Sequence, residues 1–139
     1  MTPVFFIDRA LGRYIFPDAL REAGVNVECH HDHFVKDDVD DPTWISWVAG
    51  KGWYALSQDR RIYYNAVQRQ AVIDAGLGYF VLTGGSEKKE VIAKSFIASY
   101  KTVLRFIEKT PRPFIASVNQ TKQENRSGRI YLKYPKATQ

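Results

Sequence analysis

Cysteine is nearly absent from this sequence. Cys29 stands alone among 139 residues, which excludes an internal disulfide framework and makes a reducing cytoplasm the expected setting. Long apolar runs are missing as well. No stretch approaches the ~18 residues of a membrane span, and no basic segment followed by an apolar one opens the chain, so neither a membrane-spanning nor a secreted protein is expected. There is no internal repeat, no low-complexity tract and no linker. What is left is an ordinary globular composition, 45% hydrophobic and 25% charged, in a chain able to bury roughly two-thirds of its unfolded surface as one domain.

Acids are scarce after residue 59. Residues 60–139 hold five of them against fifteen Lys or Arg, a balance of +10, whereas residues 1–59 hold ten against five, a balance of −5. Such a split points to a carboxylate site beside a surface that attracts polyanions. The plain alternative is a solvated basic face without a partner.

Short apolar runs alternate with helical patterns. Val4-Phe5-Phe6-Ile7, Val25 to Glu28, Trp53-Tyr54-Ala55-Leu56, Tyr79-Phe80-Val81-Leu82 and Phe114 to Val118 read as strands. Helical spacing runs from Leu11 to Ala23, with Pro17 either kinking the helix or lying in its first turn. A second helix starts with Asp41 as N-cap and Pro42 behind it. A third opens on Asn65 with Gln68 as a capping box and ends at Gly76. The longest spans Glu87 to about Glu108, with Ile92, Phe96, Tyr100, Val103 and Ile107 on one face. This alternation predicts βαβ units: an α/β domain with a central, mostly parallel sheet between two layers of helices.

Asp8 and Asp59 each stand at the exit of an apolar strand. In an open parallel sheet the strand exits line one edge, where ligands bind, so acids 51 residues apart can face each other there. Asp41 reaches the same edge, with Asp40 as its nearest substitute. Carboxylates sharing a crevice resist ionising unless a cation lies between them, and Mg²⁺ or Mn²⁺ suits an all-oxygen site. The simpler reading makes these acids turn-formers and helix caps. Arg9, Arg60 and Arg61 follow two of the acids and suit the binding of phosphate. Thr83, with Gly84-Gly85, precedes a helix start, where free N–H groups favour phosphate.

Phe5-Phe6-Ile7-Asp8-Arg9 with Leu11-Gly12, then His30-His31-Asp32, Asp41 three residues before Trp44, Gly52-Trp53 and Ser57-Gln58-Asp59-Arg60-Arg61-Ile62 come in an order that resembles a compact PIN-like ribonuclease domain. The branch it looks like is the one containing VapC-type toxins of bacterial toxin–antitoxin pairs. The similarity continues through Phe80-Val81-Leu82-Thr83-Gly84-Gly85 and Pro111-Arg112-Pro113-Phe114-Ile115-Ala116, about residues 4–118. It implies a three-layer nuclease domain over residues 1–118. The resemblance fades in the basic extension, residues 119–139, where Ile130, Leu132 and Tyr134 alternate with Tyr131 and Lys133 as an edge strand or hairpin of the same domain would. It further implies a metal-dependent endoribonuclease that cleaves RNA phosphodiester bonds. Asp8, Asp41 and Asp59 match its catalytic acids and, with Asp40, would hold Mg²⁺ or Mn²⁺. Ser57 stands where the family often has threonine and joins Arg9, Arg60, Arg61 and Thr83 as a candidate substrate contact. RNA, an antitoxin protein and a second copy of the chain are the implied partners. Thr83-Gly84-Gly85-Ser86 lacks the further acid that many such domains carry.

Other readings are weaker. Cys29, His31 and His33 alternate as zinc ligands might on an extended segment, but no second ligand pair follows. A histidine at the crevice rim, touching RNA or orienting an acid, is the better use of His30, His31 or His33. Trp44 and Trp47 share a helix face and suit a core, which leaves Tyr63 and Tyr64 as the candidates to stack on bases. A non-catalytic RNA- or protein-binding module of the same fold, and a metal-dependent phosphatase or DNase, are the competing functions.

Overall fold

Each short apolar run becomes a strand. Val4–Ile7 (β1), Asn26–Cys29 (β2), Tyr54–Ser57 (β3), Gly78–Thr83 (β4) and Phe114–Asn119 (β5) pair in parallel, and Ile130–Tyr134 (β6) adds to β5 in the antiparallel sense. The sheet order is β2-β1-β3-β4-β5-β6. The computed structural model describes residues 2–34, 41–83, 88–120 and 127–135. The helices are Ile15–Glu22 (α1), the single turn His30–His33 (α2), Asp41–Gly50 (α3), Ala66–Ala75 (α4) and Lys89–Lys109 (α5), with turns of 3-10 helix at Arg9–Leu11 and Arg60–Tyr63. No helix among the described residues is long and apolar enough to cross a membrane.

The period-two alternation of the strands sorts their side chains onto two faces. Phe5, Ile7, Leu56, Phe80 and Leu82 face α1 and α5, where Phe16, Leu20, Ile92, Phe96 and Val103 complete one core. Phe6, Ala55, Tyr79, Val81 and Ile115 face the other way, against Trp44, Ile45 and Val48 of α3 and Val72 of α4. This is the three-layer α/β/α arrangement that the alternation predicts. Phe6 is completely buried and its ring stacks at 5.7 Å on Trp44, so truncating it to alanine costs about 3–5 kcal/mol.

The helix expected from Leu11 starts afresh with Pro17 in its first turn, the second of the two places expected for it: a 3-10 turn ends at Gly12 with φ 86° before α1 begins. The zinc reading is corrected. The alternation of Cys29, His31 and His33 is lost because His30–His33 is helical. Cys29 is buried and its sulfur accepts from Arg21, while His31 and His33 turn to Asp32 and Glu28. Among the described residues no such group can hold a metal ion.

β6 is held by contacts on both of its faces. Ile130 packs against the α1/α5 core and Tyr134 against the α3/α4 core, the switch of face being made by a register irregularity at Ile115/Ala116. Ahead of it, the Gly128 N–H donates to Ser99 Oγ at 2.8 Å, and an added Cβ on Gly128 would land on the Asn119 carbonyl oxygen. Gly128→Ala must therefore push the chain off β5. A loss of roughly 1–3 kcal/mol, read by denaturant unfolding, is the expected result, and unchanged stability would show that β6 contributes little to the fold.

Candidate active site

The α3/α4 face of the sheet is apolar at its start and polar where the parallel strands end. Asp8 follows β1, Ser57 ends β3, Thr83 ends β4, and Ser117 and Asn119 lie in the last half of β5. Continuing the alternation from Phe6, Ala55, Tyr79 and Ile115 puts all of them on one face. A polar strip thus runs across the carboxyl edge of the sheet.

Ser57 joins two of the acids. Its hydroxyl donates to Asp8 Oδ2 at 2.8 Å and accepts from the Asp59 backbone N–H at 3.0 Å, while the Asp8 N–H donates to the Leu56 carbonyl. Burial holds the Asp8 carboxyl above the usual carboxylate range. The Ser57 hydrogen bond and the nearby His30 oppose that rise, and the charge of Asp41 adds to it. Asp41 therefore acts on Asp8 as a like charge. Of the three histidines, it is His30, 2% exposed and packed on Phe6, whose charge bears on Asp8.

Asp41 is the first residue of α3 rather than its cap. Its Oδ1 accepts from the Trp44 indole N–H at 2.8 Å, and its Oδ2 accepts from the Gln68 side-chain amide. Gln68 thereby departs from its expected role. Asn65 caps α4 through the N–H groups of Val67 and Gln68, but the Gln68 side chain crosses to α3 instead of closing a capping box. Trp44 is core, as its spacing predicts, and positions the acid as well.

Asp59 is turned onto Arg61, whose Nε and Nη2 donate to it at 2.6–2.9 Å, with the Arg61 backbone N–H adding a further bond at 2.9 Å. These bonds hold the Asp59 carboxyl below its usual range. Arg61 is exposed, and its guanidinium also feels the charges of Asp41 and Asp8. Arg9 and Arg60 are exposed and form no ion pair among the described residues. Thr83 donates to Asn119 Oδ1 at 2.6 Å. Asp40 and Gly84-Gly85 lie outside the described residues.

Two further side chains frame the crevice without a motif to announce them. Tyr79 is buried with its hydroxyl at Ser57, and burial, followed by the charge of Asp8, pushes its pKa well up. The signal for it was the alternation of β4, which puts Tyr79 on the face of Phe6 and Ala55. Lys89, at the start of α5, donates to the Ala10 carbonyl and to Gln58 Oε1 at 3.0 and 3.1 Å, tying together the two loops that carry Asp8 and Asp59. Nothing in its local sequence marks that reach.

The donor chemistry suits a hard divalent cation, since the crevice offers carboxylate and hydroxyl oxygens and an acid that burial raises and a second acid raises further. As arranged here, the acids do not converge on one point: among the described residues no three His, Cys, Asp or Glu side chains form a ready metal cluster. Arg61 supplies the opposing charge instead.

The fold and this edge define a three-layer α/β domain of the PIN-like class. A family model described as "PIN like domain" matches residues 3–84, and the chain belongs to that family. It is similar to the protein named "Putative ribonuclease VapC45" of Mycobacterium tuberculosis (strain ATCC 25618 / H37Rv), with 33% identity over 120 residues, 84% of this chain and 86% of that one. No solved structure gives a significant match.

The two displaced carboxyls give stability opposite pH dependences. Asp8, raised on folding, favours the folded chain below its unfolded pKa of about 3.9, and that contribution is lost as pH rises through the folded value. Asp59, lowered on folding, contributes above its unfolded value, and this is lost as pH falls through the folded one. Asp8→Asn is therefore expected to raise the neutral-pH melting temperature and to flatten the decline above about pH 4. Arg61→Ala should move the Asp59 titration, followed by carboxyl NMR, back toward the ordinary range. An unchanged Asp59 titration would show that Arg61 does not set it.

Proposed function

We propose that this chain is a Mg²⁺- or Mn²⁺-dependent endoribonuclease that acts in the cytoplasm as the toxin of a toxin–antitoxin pair, with RNA as substrate and a small antitoxin protein as partner. The observation that carries the reading is the joining of Asp8, Ser57 and Asp59 at neighbouring strand exits, with Asp41 electrostatically opposed to Asp8. The family and the similarity to a protein named a ribonuclease support it.

Asp8, Asp41 and Asp59 would hold the metal, with Asp40 as a further ligand. When bound, the ion supplies a water of lowered pKa and shields the phosphate under attack. Ser57 keeps the Asp8 carboxylate oriented, and Trp44 and Gln68 do the same for Asp41. Arg61 neutralises the crevice at rest and is placed to pass from Asp59 to a phosphate oxygen. Arg9 and Arg60 stand at the rim as charge-assisted donors to flanking phosphates, and Thr83 completes the edge.

One observation favours the second reading, a non-catalytic RNA- or protein-binding module. Asp59 is fully engaged by Arg61 and Asp41 by Trp44 and Gln68, which is how acids without a metal to hold would be satisfied.

Cleavage of single-stranded RNA with Mn²⁺ or Mg²⁺, lost on chelation, separates the two. Asp8→Asn and Asp59→Asn should each reduce the rate by a factor of about 100 or more, in line with removal of a group central to the chemistry, and Asp41→Asn should follow them. Cleavage at near the parent rate by either of the first two variants would refute the assignment. RNA affinity should also fall steeply between about 50 and 200 mM salt; a flat response would point to a protein or small-molecule ligand.

A further inference from the structure

Beside the acids, and separate from them, lies a cleft of 570 Å³ whose walls are Arg60, Tyr63, Tyr64, Asn119, Tyr131 and Lys133. Its volume falls within the range of ligand sites, about 300–1,000 Å³. Its chemistry differs from the crevice: two cations, three tyrosines and the two carboxamides of Asn119 and Gln120, and not one carboxylate among the lining residues. We infer that this cleft is a nucleotide subsite that seats a base of single-stranded RNA next to the scissile position, with the C-terminal strand β6 supplying one of its walls. The inference rests on the ribonuclease reading above and specifies how that enzyme would hold its substrate.

Position is the first argument. Arg60 follows Asp59 directly, and the cleft floor is Thr83 and Ser117. In register Ser57 is opposite Val81, two residues before Thr83, and Thr83 is opposite Asn119. The floor thus lies one to two strands from Ser57 along the same edge, or roughly 5–10 Å, within reach of the nucleotide next to one bound at the acids.

The second argument is the kind of contact on offer. Tyr64 is 83% exposed and set edge-on to Tyr63, with ring centres 6.4 Å apart. Base stacking uses such a free aromatic face and tolerates any base. Lys133 Nζ lies 5.8 Å from the ring centres of both Tyr63 and Tyr131. That places an ammonium between two aromatic walls, where a phosphate of the same nucleotide would meet it. Arg60 supplies a second cation toward the acid side.

Asn119 adds direction. Thr83 donates to its Oδ1 at 2.6 Å, which fixes the carboxamide so that its NH₂ end is the end left to donate. A base carbonyl or ring nitrogen is the matching acceptor. The Tyr63 hydroxyl, buried against Ser117, closes the floor. The same cleft shows why β6 is there. Ser117 is opposite Tyr131 in register, so Tyr131 and Lys133 lie on the cleft face while Ile130 packs into the opposite core. Arg69 braces the far wall, donating to the Tyr63 carbonyl at 2.7 Å and standing 5.1 Å from the Tyr134 ring centre.

The test uses the full chain carrying Asp8→Asn, so that the probe is not consumed, and fluorescein-labelled single-stranded RNA tetranucleotides of each base, with binding followed by anisotropy. Tyr64→Ala and Lys133→Ala, both at exposed positions, are each expected to weaken binding by roughly tenfold, with Tyr64→Phe retaining it. Asn119→Ala is expected to level the affinities among the four bases. Affinities unchanged in Tyr64→Ala and Asn119→Ala would overturn the subsite, as would competition by an acidic peptide alone and not by unlabelled tetranucleotide. The underlying reading fails separately. If the parent chain cuts RNA in an Asp8-dependent way but the cleft variants keep its KM and cleavage positions, the subsite falls and the nuclease stands. If tetranucleotides bind through Tyr64 and Asn119 but the parent chain cuts nothing, the subsite stands and the nuclease falls.

Discussion

Ser57 has one hydroxyl and uses both of its capacities, donating to a buried carboxylate and accepting from the backbone two residues further on. Much of the edge depends on that arrangement. Asp8 is desolvated and opposed by Asp41, and an ionised acid in such a place is costly without a donor. The Ser57 hydroxyl provides the donor, and the Asp59 N–H fixes the rotor that provides it. A residue without a hydroxyl here would leave Asp8 without that partner and free the loop that carries Asp59. Threonine keeps the hydroxyl and would preserve the bridge.

The second constraint is the alternation of the sheet. Side chains two apart share a face, so the strands that build the α3/α4 core with Phe6, Ala55, Tyr79 and Ile115 must present their next residues to the same side at the carboxyl edge. There the sequence changes from apolar to polar: Asp8, Ser57, Thr83, Ser117 and Asn119. Core and functional edge are successive segments of the same face. A slip of one residue in any strand would exchange its polar terminal residue for an apolar one and break both at once.

What the sequence revealed and what it concealed follow from the range of the interactions. β1, β3, β4 and β5 were legible because each is a compact apolar run, and the exits of β1 and β3 were legible because an acid follows the run. Asp41 was legible through the Asp41-Pro42 helix start, and the family resemblance matched it to a site acid. Gln68 was concealed because its spacing from Asn65 satisfied a local rule while its side chain answered a partner 27 residues away. Lys89 was concealed for the same reason at a separation of 79 residues. Local patterns specify elements, and contacts between elements are set by packing that no window of sequence contains.

The contacts around the acids also differ in how far along the chain they reach, and this orders their formation. Asp59 meets Arg61 across two residues and Asp41 meets Trp44 across three, whereas Asp8 meets Ser57 across 49. The first two form within a turn and close almost no loop. The third must bring two distant strands side by side against the entropy of a long loop, which contacts of low separation do not face. Two acids are therefore engaged by their neighbours within a turn, and the repulsion between Asp8 and Asp41 arises only as α3 packs against the exit of β1. The crowding of charge belongs to the finished molecule and burdens no earlier stage of its folding.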